Sequence, residues 1–243
     1  MKEFPFTLPS GRKIVLREST GSDELAAFRR CGAKPEELEH QQFELIASNV
    51  LSLSGGGLSQ GSPGTVPKTD GYESLLSLPS KDRQSLPILW NRINLPTAAE
   101  VAALRSSVSV LSPPSSVLSP LRVVSFRLPC GATATMHQCT GLEEFAAQRA
   151  FIGKPAREAD LYRKWDELAR CVARLGGGLS QGPPGTVPKT DSYSGFEDLF
   201  SLTSKSLACL FIIFTDENIL SGEELTGLRD FSATGSPSPS SQS

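Results

Sequence analysis

The sequence predicts an α+β protein built as two tandem repeats, each a short β-hairpin followed by three or four helices. The first observation is a near-verbatim duplication: GGGLSQGSPGTVPKTD begins at Gly55 and GGGLSQGPPGTVPKTD at Gly176, with Ser62 replaced by Pro183. The other two observations are a hairpin pattern at the start of each copy and helical spacing of the apolar residues after it. The surrounding sequence aligns in outline at an offset of about 120 residues, which indicates repeated units.

The duplication divides the chain into four segments. Unit one covers residues 1–110 and unit two covers residues 123–232. Residues 111–122 are rich in proline and serine, which is typical of a linker. Residues 233–243 form a polar, low-complexity tail that has too few apolar side chains to order itself.

Each unit opens with the pattern of a β-hairpin. In unit one the predicted strands Phe4–Leu8 and Arg12–Glu18 flank the turn Pro9-Ser10-Gly11. Unit two keeps this turn as Pro129-Cys130-Gly131. Apolar and polar residues alternate in the second strand, so we expect one of its faces to be buried.

A helix start follows each hairpin. Thr140 and Glu143 have the spacing of a capping box, and Thr20 and Asp23 repeat it with a shorter acid. A further capping box, Thr97 to Glu100, predicts the start of the last short helix of unit one.

Apolar residues at spacings of three and four predict a helix before each glycine-rich stretch. We expect Gly55–Gly57 and Gly176–Gly178 to end these helices and to open surface loops. Another helical segment should follow each loop. The residues of the two helical stripes are Phe43, Ile46, Val50 and Leu53 in unit one, and Leu161, Trp165, Leu168, Val172 and Leu175 in unit two.

Composition argues against several classes of function. The formal net charge of -2 provides no basic excess for binding nucleic acid or an anionic membrane. No segment approaches the roughly 20 apolar residues that span a bilayer. The 5 cysteines include no Cys-x-x-Cys pair, so we expect reduced thiols in a cytosol-like compartment.

The glycine-rich stretches do not fit a phosphate-binding loop. Lys68 and Lys189 each follow a proline, whereas a P-loop lysine follows a glycine. A dinucleotide-binding fingerprint requires a strand before the glycines, and we expect a helix there. We therefore predict no cofactor and no small-molecule substrate.

The remaining polar residues predict neither a catalytic nor a metal site. His40 and His137 occupy different places in the two units, and no second histidine or paired carboxylate stands at ligand spacing from either. No serine lies in a G-x-S-x-G motif. His137 and Cys139 are interpreted as neighbours on one face of a strand.

The order of these motifs resembles small baseplate hub and tail assembly proteins of contractile-tailed phages and related injection particles. Such proteins, which include T-even-type baseplate hub proteins and Mu-type tail assembly chaperones, begin with this kind of hairpin. Unit two keeps the turn and cap residues but has Met136-His137-Gln138 in place of the charged LRE segment. The matching residues of unit one are Thr7–Gly11, Val15–Glu18, Thr20–Glu24, Leu75–Arg83 and Asn94–Glu100.

The resemblance implies a non-enzymatic structural or assembly protein of the bacterial or infected-cell cytosol, which could also be incorporated into a particle. Its expected partners are other tail or baseplate proteins. Two alternatives stay open: a transient tail assembly chaperone, and an enzyme or ligand-binding protein that uses the glycine-rich loops. Two similar units also favour docking about a pseudo-twofold axis. The candidate partner-docking residues are Leu58, Gln60, Val66, Lys68, Leu179, Gln181, Val187 and Lys189.

Overall fold

The computed structural model describes residues 2–31, 38–54, 75, 78–111, 121–153, 156–175, 179–180, 199–219, 222 and 226. Within these residues the chain is a mixed α+β structure with two antiparallel sheets. The predicted α+β class is therefore confirmed. The division into two tandem repeats stays a prediction, which the matching pairing of the two hairpins supports.

The elements up to residue 107 form the N-terminal half. Its strands pair in the order β1-β2-β3, and the helices lie between and after them. The elements are β1 (Glu3–Thr7), β2 (Lys13–Arg17), α1 (Gly21–Cys31), α2 (Leu38–Asn49), β3 (Val50–Leu53), α3 (Ser80–Asn94) and α4 (Ala98–Ser107).

The elements from residue 109 to residue 219 form the C-terminal half. Its strands pair in the order β4-β5-β6-β7-β8. The elements are β4 (Ser109–Leu111), β5 (Val123–Arg127), β6 (Thr133–His137), α5 (Gly141–Ala150), α6 (Ala156–Cys171), β7 (Val172–Leu175), β8 (Leu179–Ser180) and α7 (Ser204–Asn218).

The two hairpins pair in corresponding registers. Glu3 lies opposite Arg17 in the first hairpin, and Val123 lies opposite His137 in the second. Gly11 and Gly131 occupy the turns with φ of 86° and 90°, a left-handed conformation that glycine adopts without steric cost. The turn chemistry read from the sequence therefore has a backbone reason.

The apolar spacing predicted helices that extend too far, to Leu53 in unit one and to Leu175 in unit two. Helix α2 ends at Asn49 and α6 at Cys171, and the chain continues directly as the strands β3 and β7. Val50 and Val172 are therefore strand residues, paired opposite Leu16 and Met136. The free edge of each hairpin pairs with this extended segment, and that pairing satisfies backbone groups that a longer helix would leave exposed at the edge.

This correction also changes the argument about the glycine-rich stretches. The glycines do not end the helices, because a strand separates each helix from them. The premise that a helix precedes the loops was wrong. The described strands before the two stretches, β3 and β7, pair antiparallel with their neighbours, unlike the parallel strands of a dinucleotide-binding βαβ unit.

Side chains near the starts of α3 and α7 hold the turns of the first and second hairpin. The carboxylate of Asp82, near the start of α3, accepts a hydrogen bond from the Ser10 N–H at 2.9 Å. The hydroxyl of Ser206, near the start of α7, accepts one from the Cys130 N–H at 3.2 Å. Equivalent helix starts, those of α3 and α7, therefore support equivalent hairpin turns in the two halves.

The other ends of these two helices make a second matching contact. The side-chain oxygen of Asn94 accepts a hydrogen bond from the Ser19 N–H at 2.8 Å. The oxygen of Asn218 accepts one from the Cys139 N–H at 2.6 Å. Each hairpin is thus fixed to its helix at both ends.

Each half has its own hydrophobic core, and the N-terminal half contributes to both. Leu104 of α4 is buried in the C-terminal core, and Leu25 of α1 packs against it. The start of α1 also hydrogen-bonds across the halves, with the Gly21 N–H donating to the Leu202 carbonyl at 3.0 Å and the Ser22 N–H to the Phe200 carbonyl at 2.9 Å. The N-terminal half is therefore docked on the C-terminal half through α1 and α4.

The contact at Gly21 is not repeated at Gly141 among the described residues, and the pseudo-twofold docking stays a prediction. A Cβ at Gly21 would overlap side-chain atoms of Phe200 and Leu207 and would lie 2.8 Å from the Phe200 Cα. A Cβ at Gly141, the corresponding position of α5, would meet none of the described residues within 4 Å. Within the described part of the chain, the start of α1 is therefore buried at the contact between the halves and the start of α5 is not.

We expect Gly21→Ala to lower the free energy of unfolding by roughly 1–3 kcal/mol. The added methyl group would overlap Phe200 and push the backbones of the two halves apart. Gly141→Ala is the matched control and should stay within about 0.5 kcal/mol of the wild type. Urea unfolding of both variants measures the difference. Equal effects of the two substitutions would contradict the close approach at Gly21.

Glu24 should make stability depend on pH. Burial at the contact between the halves raises the pKa of Glu24, Asp23 raises it further, and a hydrogen bond with Ser204 offsets part of the rise. A raised carboxyl pKa means that the charged form opposes folding above that pKa, and that the penalty disappears as the pH falls below the ordinary value. Glu24→Gln should therefore increase the free energy of unfolding at pH 7 and lose this advantage near pH 4. Glu3→Gln, at an exposed strand position, is the control.

Candidate functional site

The corner where each hairpin enters its first helix holds a buried polar cluster. In the N-terminal half the Arg17 guanidinium donates to both carboxylate oxygens of Asp23, each at 2.9 Å, and to the Ser48 carbonyl at 2.9 Å. The Arg17 and Asp23 side chains are 4% and 0% exposed. The buried carboxylate is thus neutralised by a permanent cation in bidentate geometry.

The C-terminal half has no arginine at the corresponding corner. His137 at the end of β6, Glu143 in the first turn of α5 and Cys171 at the end of α6 meet there, all buried. One potential ligand atom from each lies within 4.8 Å of the others. Three element ends therefore bring together an imidazole, a carboxylate and a thiol.

Hydrogen bonds orient two of these side chains. His137 Nδ1 lies 2.8 Å from the Gln138 carbonyl oxygen, so Nδ1 carries a proton and Nε2 faces Glu143. Glu143 Oε2 accepts hydrogen bonds from the Thr140 N–H at 2.8 Å and from its hydroxyl at 2.7 Å. Glu143 Oε1 is buried with no hydrogen bond and lies 3.4 Å from His137 Nε2.

Cys171 is the thiol of the cluster, and Cys139 lies near it in the chain turn after β6. Interaction with Cys139 and burial raise the pKa of Cys171 above its usual range. A reactive cysteine needs access to substrate, and Cys171 is fully buried.

The cluster was not predicted from the sequence, although its residues were each interpreted separately. His137 and Cys139 were read as strand neighbours, and Glu143 as a helix cap, which it also is. Cys171 joins them only because α6 returns its last residue to the hairpin. Alignment of the two units was the signal available, since it places all four at the positions of Arg17, Ser19, Asp23 and Asn49.

The predicted docking residues are largely beyond the part of the chain that is described. Leu58, Gln60, Val66, Lys68, Gln181, Val187 and Lys189 lie outside the described residues. Leu179 lies in β8, opposite Leu175 of β7. The start of the second glycine-rich stretch therefore extends the sheet by one short strand, and the role of the loops as docking surfaces stays a prediction.

Helix α5 exposes apolar side chains where α1 is packed. Leu142 and Phe145 are 65% and 56% exposed. The corresponding residues of α1 are Ser22, which hydrogen-bonds to Phe200, and Leu25, which packs against the C-terminal core. The Arg149 guanidinium lies over the Phe145 ring, 5.7 Å from its centroid. We call Gly141, Leu142, Phe145 and Arg149 the α5 face.

A cleft of about 740 Å³ lies between the halves. Its lining includes Lys2, Glu18, Arg92, Glu100 and Lys205. Glu100 and Lys205 form an ion pair, with 3.0 Å between Oε1 and Nζ. The charges are mixed in sign, so the cleft does not concentrate the positive potential that anionic ligands favour.

Comparison with protein-family models, with curated proteins and with solved structures finds no match to this chain. None of the described helices combines the length and apolar character that crossing a membrane requires. Functional inference therefore rests on the geometry of the described residues.

We expect Arg17→Ala to lower the free energy of unfolding by about 3–5 kcal/mol, because it leaves the buried Asp23 carboxylate without its guanidinium. Arg122→Ala is the control, since Arg122 is half exposed in its pair with Glu217 and should cost at most about 1 kcal/mol. Chemical denaturation measures both. Similar small losses in the two variants would show that the buried pair does not stabilise the hairpin corner.

Proposed function

We propose that the protein is a non-enzymatic structural or assembly protein of a phage-type contractile tail or baseplate, which acts through protein–protein contacts. The observation that carries the proposal is the α5 face, with the large apolar side chains of Leu142 and Phe145 exposed on one helix start. Neighbouring exposed apolar residues on a helix are typical of an interaction surface. Aromatic and arginine side chains such as Phe145 and Arg149 are also enriched at interfaces.

The contact between the halves supports this use of the surface. The corresponding start of α1 already binds a protein surface, that of the C-terminal half, through Gly21, Ser22 and Leu25. The α5 face also begins at a glycine, and its apolar side chains are larger. A Cβ at that glycine would meet none of the described residues within 4 Å. It is therefore a second docking surface of the same kind.

The resemblance of the hairpin and cap motifs to baseplate hub and tail assembly proteins supplies the class of partner. We place the protein in the bacterial or infected-cell cytosol, where tails assemble. A permanent particle component and a transient assembly chaperone would both use this face, and they differ in whether the chain remains in the finished particle.

The test is affinity purification from the native cell followed by mass spectrometry, with wild-type protein and the double variant Leu142→Glu/Phe145→Glu. We expect the wild type to recover tail or baseplate proteins and the variant to lose them at least about tenfold, because charge would be buried at the contact. Recovery of metabolic enzymes without tail proteins would contradict the proposal. Presence of the chain in purified particles separates a component from a chaperone.

The matched control is Ile88→Glu/Ile219→Glu. These side chains are 69% and 61% exposed, and they lie on α3 and directly after α7. The control should recover the same partners as the wild type. Thermal unfolding of both double variants should be close to that of the wild type, since all four side chains are exposed.

A further inference from the structure

We propose that the buried corner of the C-terminal half is a Zn²⁺ site, in which His137 Nε2, Glu143 Oε1 and Cys171 Sγ bind the ion. The three ligand atoms already lie within 4.8 Å of one another. This inference does not depend on the partner proposed for the α5 face.

Comparison of the two hairpin corners gives the first argument. In the N-terminal half the Asp23 carboxylate is balanced by the Arg17 guanidinium. In the C-terminal half Glu143 is fully buried, and the residue at the arginine position is His137. A buried carboxylate requires positive charge nearby, and a divalent cation coordinated by His137 and Glu143 would supply it.

The orientation of the side chains gives the second argument. Metal-binding histidines usually donate the N–H of the other ring nitrogen to a carbonyl or carboxylate, and ligating carboxylates are themselves hydrogen-bonded. His137 Nδ1 is held by the Gln138 carbonyl, and Glu143 Oε2 is held by Thr140. The atoms left over, Nε2 and the buried Oε1, face each other 3.4 Å apart, and Oε1 makes no hydrogen bond.

The donor set selects the ion. Thiolate and imidazole ligands favour Zn²⁺, whereas Mg²⁺ and Ca²⁺ prefer all-oxygen ligands. The three protein ligands are all buried, so the ion would serve the fold of this half. On binding, Cys171 would release its thiol proton to solvent, and His137 would bind as the neutral imidazole.

Such a site would join the ends of β6, α5 and α6, the three elements that form the corner. The ion would therefore stabilise the fold of the C-terminal half. Its place is taken in the N-terminal half by the ion pair of Arg17 and Asp23, which joins β2 to the start of α1.

The experiment titrates full-length, reduced, chelator-treated protein with Co²⁺, which reports thiolate ligands by near-ultraviolet charge-transfer absorption, and then displaces it with Zn²⁺. We expect saturation at one equivalent and, at a hundredfold excess of free Zn²⁺ over Kd, a rise in Tm of about 5–10 °C. A titration without thiolate charge-transfer absorption, or without saturation at one equivalent, would overturn the proposal.

Two kinds of variant locate the site. Cys171→Ser should abolish the charge-transfer band, and Cys130→Ser, at an exposed thiol, should leave it unchanged. The double variant His137→Arg/Glu143→Asp installs the ion pair of the N-terminal half, so it should stay folded and lose the rise in Tm with Zn²⁺. Retention of stoichiometric binding in Cys171→Ser or in the double variant would place the ion elsewhere and falsify the assignment.

Discussion

A buried carboxylate in the first turn of a helix must be compensated, and this requirement governs the corner on which each half is built. The carboxylate caps the helix through the preceding threonine, as Thr140 and Glu143 show. The corner also receives the returning strand, β3 or β7, which pairs with the hairpin. Asp23 and Glu143 therefore cannot reach solvent, and whatever neutralises them becomes part of the fold.

The two halves meet this requirement with different chemistry on the same scaffold. An arginine provides a permanent charge and five donors in fixed geometry, so the N-terminal corner is complete by itself. In the C-terminal corner a histidine and a thiol lie beside the carboxylate, and these are the ligand types of the zinc site proposed above. The hairpin registers and the asparagine contacts at Ser19 and Cys139 are the same, so the difference lies in the side chains and not in the backbone.

The contact between the halves gives two otherwise similar helices, α1 and α5, different environments. Gly21 lets the start of α1 approach the Phe200 backbone closely, and that contact buries α1 against the C-terminal core. Gly141 begins α5 in the same way, but a Cβ there would meet none of the described residues within 4 Å. Within the described part of the chain, the contact uses the start of α1 and not the corresponding start of α5.

Much of the local structure could be predicted from short-range pattern. The hairpin turns at Gly11 and Gly131 and the caps at Thr97 and Thr140 depend on residues only a few positions apart, so their chemistry is visible in the sequence. The helix ends could not be read in this way. Val50 and Val172 continue a helical spacing, yet the open strand edge beside them decides that they pair as sheet.

The sequence by itself determined the α+β class, the turns and the helix starts, because hydrophobic period, glycine and capping residues act locally. Only the tertiary structure decided that Cys171 meets His137 and Glu143, and that α1 is covered while α5 is exposed. Those outcomes depend on where α6 ends in space and on which surface of the C-terminal half receives the N-terminal half. Such contacts form when residues far apart in the chain pack together, and the spacing of residues along the sequence does not predict them.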